Sequence, residues 1–241
     1  MTMLDGMAFQ GFPRAGIDFL ASLAENNDRA WFTPRKADYE RLVKRPLEAL
    51  CAALGERFAE RGVPLTADPL RSPFRIYRDV RFSRDKSPYK PYASARFPAV
   101  GGGPGGYFHL APGDIFAGGG IWHAEPSIVA AWRREVTTNG PEVRRAIEDE
   151  AFVRTFGKLD GERLKRVPAG FARDDPNAEL LTLKDVTFGR RLSDDDVMSP
   201  SLPDLLTDLY AAAGPVFALL ARVAAQPQAA VAQETSGGPE G

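Results

Sequence analysis

Eight arginines and lysines crowd the stretch from Arg71 to Arg96, against two acids, Asp79 and Asp85. Six of them, Arg75, Arg78, Arg81, Arg84, Lys86 and Lys90, alternate with rings at Tyr77, Tyr89 and Tyr92. Guanidinium and ammonium groups at that density hold phosphate or carboxylate oxygens through charge-assisted bonds, while tyrosine rings stack on a planar group. The same charges also build structural networks, with Arg78 and Arg81 paired to Asp79, Asp85 or more distant acids. Arg78 is the most constrained. It falls in the apolar half of an alternation formed by Phe74, Ile76, Val80 and Phe82, where a permanently charged guanidinium requires a carboxylate or a bound anion. After Phe82 the alternation stops, and Ser83, Asp85 and Ser87 offer side chains to nearby backbone while Pro88 and Pro91 fix φ, so the loop is expected to be stiff.

A second place for chemistry follows the triplet Gly118-Gly119-Gly120. The triplet leads through Trp122 and His123 into a helix start at Pro126, and glycines there admit close approach of a ligand or of another backbone. Gly119, Gly120 and His123 therefore join Arg75, Arg78, Arg81, Arg84, Lys86, Tyr89 and Lys90 as the candidate ligand-binding set. The alternative for the triplet is a bulge packed beneath the helix.

His109 and His123 are the only histidines. With Glu125 or Asp79 they have the donor types of a metal site, but their spacing matches no metal motif, and the reading is no metal. Neither Gly-rich run is a phosphate loop, since Gly101 to Gly106 lacks the Gly-Lys-Ser/Thr ending. Asp194, Asp195 and Asp196 after Ser193 read as caps of a helix rather than as metal ligands. No nucleophile and base can be paired and no cofactor is indicated. Whether the protein is an enzyme stays open.

The elements that must position these residues read as a mixed set. Helical spacing runs from Pro13 to Asn26-Asn27, then from Asp28 or Pro34 to Phe58 with a kink or division at Pro46. Trp31 and Phe32 at the junction read as core residues. Strands are expected over Arg75–Phe82, Ala93–Phe97, Tyr107–Leu110 and Ile115–Ile121. The short turn before the last favours an antiparallel hairpin. In a regular strand Tyr107 and His109 share a face. Helices follow over Pro126–Thr138 and Pro141–Phe156, then a helical turn over Ala178–Leu181, a strand over Leu183–Leu192 and a last helix over Pro203–Ala225. The fold class expected is α+β, with one domain over residues 9–225 and a disordered tail, rich in Gln, Ala, Gly and Pro, over 226–241.

Length and composition narrow the function classes. The chain has 241 residues, formal net charge −1 and a sequence pI near 6.2, so no global charge draws it to nucleic acid or membranes. Any electrostatic recognition rests on the local basic excess. The first ten residues lack a basic then apolar pattern, so no signal peptide is expected, and the longest apolar stretch is too interrupted to span a bilayer. A single cysteine, Cys51, excludes an internal disulfide framework and fits a cytoplasmic location.

Taken together, the landmarks resemble the conserved hypothetical proteins of domain-of-unknown-function family 2461, found in bacteria and fungi. The resemblance rests on Phe19-Leu20, Asn26-Asn27 and Trp31-Phe32, on Arg75 to Lys90, on Gly118-Gly119-Gly120, and on Pro168-Ala169-Gly170-Phe171 with Asp175-Pro176. It implies one α+β domain and brings no activity or catalytic residue. Ala169 departs from the Pro-Lys-Gly-Phe expected at that landmark.

Three readings follow. One is a domain that holds an anionic small molecule through the Arg75 to Lys90 cations. Another is a nucleic-acid binder that sets the same cations on phosphates and Tyr77, Tyr89 and Tyr92 on bases. The third is a structural or interaction module in which the charged block only fixes the fold.

Overall fold

A computed structural model describes residues 8–81 and 83–236, with side chains as far as Gln226. Eleven α-helices and four strands are assigned among the described residues, and the strands form one antiparallel sheet in the order β1-β2-β3-β4. The fold is α+β. By compactness the chain divides into two units, one of residues 1–97, 106–117 and 190–211 and the other of 98–105, 118–189 and 212–241.

The first unit begins with α1 (Arg14–Glu25), whose Ile17, Phe19, Leu20 and Leu23 are buried and which stops at Asn26. α2 (Arg29–Phe32) is capped by the Asp28 carboxylate on the Trp31 N–H. A 3₁₀ turn over Thr33–Arg35 leads to α3 (Lys36–Tyr39), and a π turn over Glu40–Lys44 leads to α4 (Arg45–Glu60). The expected division at Pro46 is that wide turn. A proline cannot donate to the carbonyl four residues back, here Leu42. The Leu42 oxygen lies close against α1, where a Cβ on Gly16 would be only 2.4 Å from it. Phe32 is buried and Trp31 packs on Phe19, as the core reading of this junction requires.

β1 (Ala93–Phe97) and β2 (Gly105–Ala111) pair antiparallel, with Ser94 opposite His109 and Arg96 opposite Tyr107. β3 (Asp114–Ile121) returns by a tight turn, as the spacing predicts. One side of this meander buries Ala95, Phe97, Phe108, Leu110 and Ile115. Phe58 of α4 meets Phe97 at 5.8 Å and Tyr210 of α10 (Leu202–Ala212) at 5.8 Å, and the Tyr210 hydroxyl donates to the Tyr107 carbonyl at 2.8 Å. Cys51 is fully buried on α4, and burial raises its thiol far above the ordinary range.

In the second unit α5 (Pro126–Thr138) starts and stops where Pro126 and Asn139-Gly140 place its ends. The helix expected over Pro141–Phe156 is two, α6 (Gly140–Ile147) and α7 (Glu150–Phe156). Asp149 breaks it by accepting from the Ala151 and Phe152 N–H groups at 3.0 and 3.1 Å, which caps a new helix rather than extending the old one. α8 (Ala178–Leu181) and β4 (Val186–Arg191) fall inside their predicted spans. Phe188 packs on Phe152 and Phe217, and Trp132 donates its indole N–H to the Leu180 carbonyl at 2.9 Å. Glu135 is buried yet satisfied by Arg222, Gln226 and Asn139 at 3.0 to 3.3 Å.

α9 (Asp194–Met198) carries a full capping box, the Ser193 hydroxyl accepting from the Asp196 N–H and the Asp196 carboxylate accepting from the Ser193 N–H. That is the role expected of the acidic triplet. The single last helix is also divided, since α11 (Gly214–Ser236) begins anew at Gly214-Pro215. α11 continues past Gln226 into the stretch whose composition reads as a disordered tail, of which 237–241 lie outside the described residues.

Candidate functional site

The cationic stretch is not the strand that its alternation predicts. Residues 75–81 form a loop clasped at separate points, and Phe82, placed on the apolar face by the pattern, lies outside the described residues. Phe74 N–H donates to Ser94 O and Arg96 N–H to Ser72 O, which lays the start of the segment along β1. Further on, Arg78 N–H donates to Pro88 O at 2.9 Å and Lys90 N–H to Ile76 O at 2.7 Å, closing the segment on itself. Pro88 and Pro91 offer no N–H, so a continuous ladder cannot form. A side chain completes the clasp. The Asn27 amide donates to Tyr89 O and accepts from Tyr89 N–H, both at 3.0 Å, as a neighbouring strand would. Sequence reading gave Asn27 only the role of a helix terminator.

Within this frame the cations divide into two groups. Arg78, half-buried, pairs with Asp85, which also accepts from the Ser87 N–H at 2.9 Å and the Ser87 hydroxyl at 2.6 Å. Those bonds, Ser87's first and Arg78's after them, hold the Asp85 carboxyl down at about 2. Arg81 grips Asp79 with its Nη2 at 2.6 Å and its Nε at 3.0 Å, and holds that carboxyl at about 2 as well. Lys86 donates to Val80 O at 2.8 Å. These groups lock the loop. Arg75, Arg84 and Lys90 form no ion pair among the described residues. Lys90 sits 5.2 Å from the centre of the Phe74 ring, and its ammonium is pushed down by burial and then by the charge of Arg75.

Tyr89 belongs to the core rather than to a contact surface. Its ring is 4% exposed and stacks on Phe32 at 4.1 Å. Tyr77 is 54% exposed and leans on it at 5.6 Å. Tyr92 instead faces the open side of the sheet, meeting His109 at 4.6 Å. There His109 stacks on Phe116 at 4.9 Å, Tyr107 Oη and His109 Nδ1 lie 3.2 Å apart, and Phe74 meets Tyr107 edge-on at 6.2 Å. Tyr107 and His109 share this face, as alternation requires. Burial lowers the imidazole pKa of His109 and favours its neutral form.

The glycine triplet and His123 belong to the second unit. A Cβ on Gly118 would lie 2.1 Å from Phe188 O, one on Gly119 2.6 Å from Gly105 O, and one on Gly120, at φ +118°, 2.2 Å from Val186 O. Backbone of β4 and of Gly105 thus occupies the space these glycines leave within the sheet. His123 differs, being the one non-glycine residue of positive φ among those described, at +52°. It borders an open cleft of about 370 Å³ with Ala124, Val129, Arg133, Glu162, Lys184 and Asp185. Asp185 accepts from the Ala124 N–H at 3.3 Å, Lys184 pairs with Glu162, and Arg133 Nε donates to Leu181 O at 3.1 Å. Arg133, Asp185 and Lys184 were not singled out by sequence, because nothing local in it brings α5 and the start of β4 together.

Among the described residues no three His, Cys, Asp or Glu side chains gather as a metal set, and no single helix is long and apolar enough to cross a membrane. No curated protein and no solved structure matches the chain. A family model does, that of the conserved hypothetical protein DUF2461, over residues 15–218. That span takes in the clasped cationic loop, the glycine triplet and most of the core, and the chain belongs to this family.

Proposed function

We propose that the protein binds a small molecule carrying a phosphate or carboxylate group at the Arg75 to Lys90 segment. The observation that carries this reading is the inequality among the cations. Arg78 and Arg81 are neutralised by acids of their own loop, whereas Lys90 is held partly buried, over a ring, next to the like charge of Arg75. Two cations kept close without an acid repel each other, and an oxyanion between them relieves that cost. The locked loop supplies the rigidity that such a site needs, since preorganised donors lose little freedom on binding.

Thermal unfolding against inorganic phosphate, sugar phosphates and dicarboxylates tests the reading. A ligand at about a hundredfold excess over Kd stabilises by roughly 2.7 kcal/mol, which moves Tm up by roughly 5–10 °C in a protein of this size. Lys90→Met and Arg75→Gln should fold and lose that shift. Wild type that shows no shift with any of these anions leaves the reading without support.

The row of rings on the open sheet face favours a second reading, single-stranded nucleic acid. Tyr92, His109, Phe116, Tyr107 and Phe74 form a connected set of ring contacts with Lys90 over the Phe74 ring, and bases stack on such rings without regard to sequence. Oligonucleotides that bind at least tenfold tighter than the corresponding mononucleotides would favour it over the first.

A further inference from the structure

The His123 cleft lies in the second unit and does not depend on the reading of the cationic segment. A residue with a side chain at φ +52° costs of order 1–2 kcal/mol relative to the ordinary regions, and glycine would escape that cost. The surroundings hold His123 there all the same. Gly120 seats the end of β3 on the β4 backbone, Asp185 holds the Ala124 N–H just after His123, and α5 starts at Pro126. The Trp122 ring, itself 75% exposed, lies against the imidazole at 3.9 Å. The result is an exposed His123 whose backbone is held at the border of an open cleft.

The two cations and two acids that line the cleft, Arg133, Lys184, Glu162 and Asp185, balance in number but are not all paired with one another. Glu162 is taken up by Lys184, and Asp185 is engaged with a backbone N–H. Arg133 donates its Nε to the Leu181 carbonyl and forms no ion pair among the described residues, which leaves its terminal nitrogens without an acid. Its guanidinium is also partly desolvated, which lowers its pKa from the ordinary value. A guanidinium in that state gains from a planar oxyanion that it can meet with two parallel bonds.

We propose that this cleft is a second binding site, for a small molecule bearing a phosphate or carboxylate group, with the Arg133 guanidinium on the oxyanion and the His123 imidazole on a neighbouring polar atom. The volume of about 370 Å³ is at the small end of ligand clefts. Val129 and Pro126 supply its apolar wall.

Because the chain has two histidines, its imidazole proton spectrum contains two residues, and His109→Gln assigns them. Titration at fixed pH with inorganic phosphate, and separately with acetate, against chloride at matched ionic strength, should move the His123 signals saturably with a Kd of about 1 mM or tighter. The arm that saturates at lower concentration identifies which oxyanion the cleft takes. Arg133→Met should weaken binding at least about tenfold. Val129→Phe, which fills the cleft and leaves the Arg133 to Leu181 bond in place, should abolish it should Arg133→Met fail to fold. Lys90→Met should leave the His123 titration unchanged, so failure here and failure at the cationic segment are read separately. The proposal is overturned by His123 signals that do not saturate with either anion, or by a shift that survives in Val129→Phe.

Discussion

Asp79 and Asp85 set how the cationic loop responds to acid. Both carboxyls are held at about 2, below the ordinary value of 3.8, by bonds made only in the folded loop. A carboxyl with a depressed folded value contributes stability that is fully present above its unfolded value and disappears as pH falls through the folded one. The loop should therefore stay locked through pH 4 and loosen toward pH 2. The Ser87 amide, which donates to Asp85 at 2.9 Å, is the reporter, and its proton shift should titrate with a midpoint near 2. A midpoint near 3.8 would mean that the carboxylate is not bonded as described. At this scale the sequence was partly legible. Arg78 set among apolar neighbours announced its need for an acid, and Asp85 seven residues later supplies it. The clasp of Asn27 on Tyr89 was not legible, because 62 residues separate them and only the folded helices bring them together.

Among the elements, β3 depends most on residues that have no side chain. Gly118→Ala would place a Cβ 2.1 Å from the Phe188 carbonyl, a clash with backbone that side-chain movement cannot relieve. A loss of roughly 2–3 kcal/mol is expected in denaturant unfolding. Gly113→Ala is the control. It has φ +75° and open space around it, so only the conformational cost of about 1 kcal/mol applies. Equal losses for the two would show that sterics against β4 do not matter. The glycine triplet was visible in the sequence, but its packing partner was not. Elsewhere local signals decided how well each element could be read. α5 matches its expected span because Pro126 and Asn139-Gly140 mark both ends. The strand expected at Arg75–Phe82 failed because alternation reports which side chains face inward and not whether a backbone partner is available; with prolines at 88 and 91, none is continuous. The breaks at Asp149 and at Gly214-Pro215 carried standard capping and breaking residues, and there the apolar spacing outweighed them.

For the whole molecule, net charge is −1 while the Arg71 to Arg96 stretch is strongly basic, so long-range attraction to polyanions is weak and contact must be local. Of the six cations from Arg75 to Lys90, Arg78 and Arg81 are held by acids and Lys86 by a carbonyl, so three remain for phosphates. Should a single strand bind there, log K should fall with log salt at a slope of about −2, where all six would give about −4. A slope of about −4 would mean that the loop's own bonds open on binding. The family and the α+β class could be read before the structure, because both follow from landmarks spread along the chain. The sorting of cations into locked and free could not, since it depends on geometry within one loop. Cys51 gives this chain an internal clock. Its sulfur is sealed on α4 and kept protonated, so an alkylating reagent can reach it only when the first unit's core comes apart. The rate at which that one thiol is consumed is therefore a record of how often the core opens.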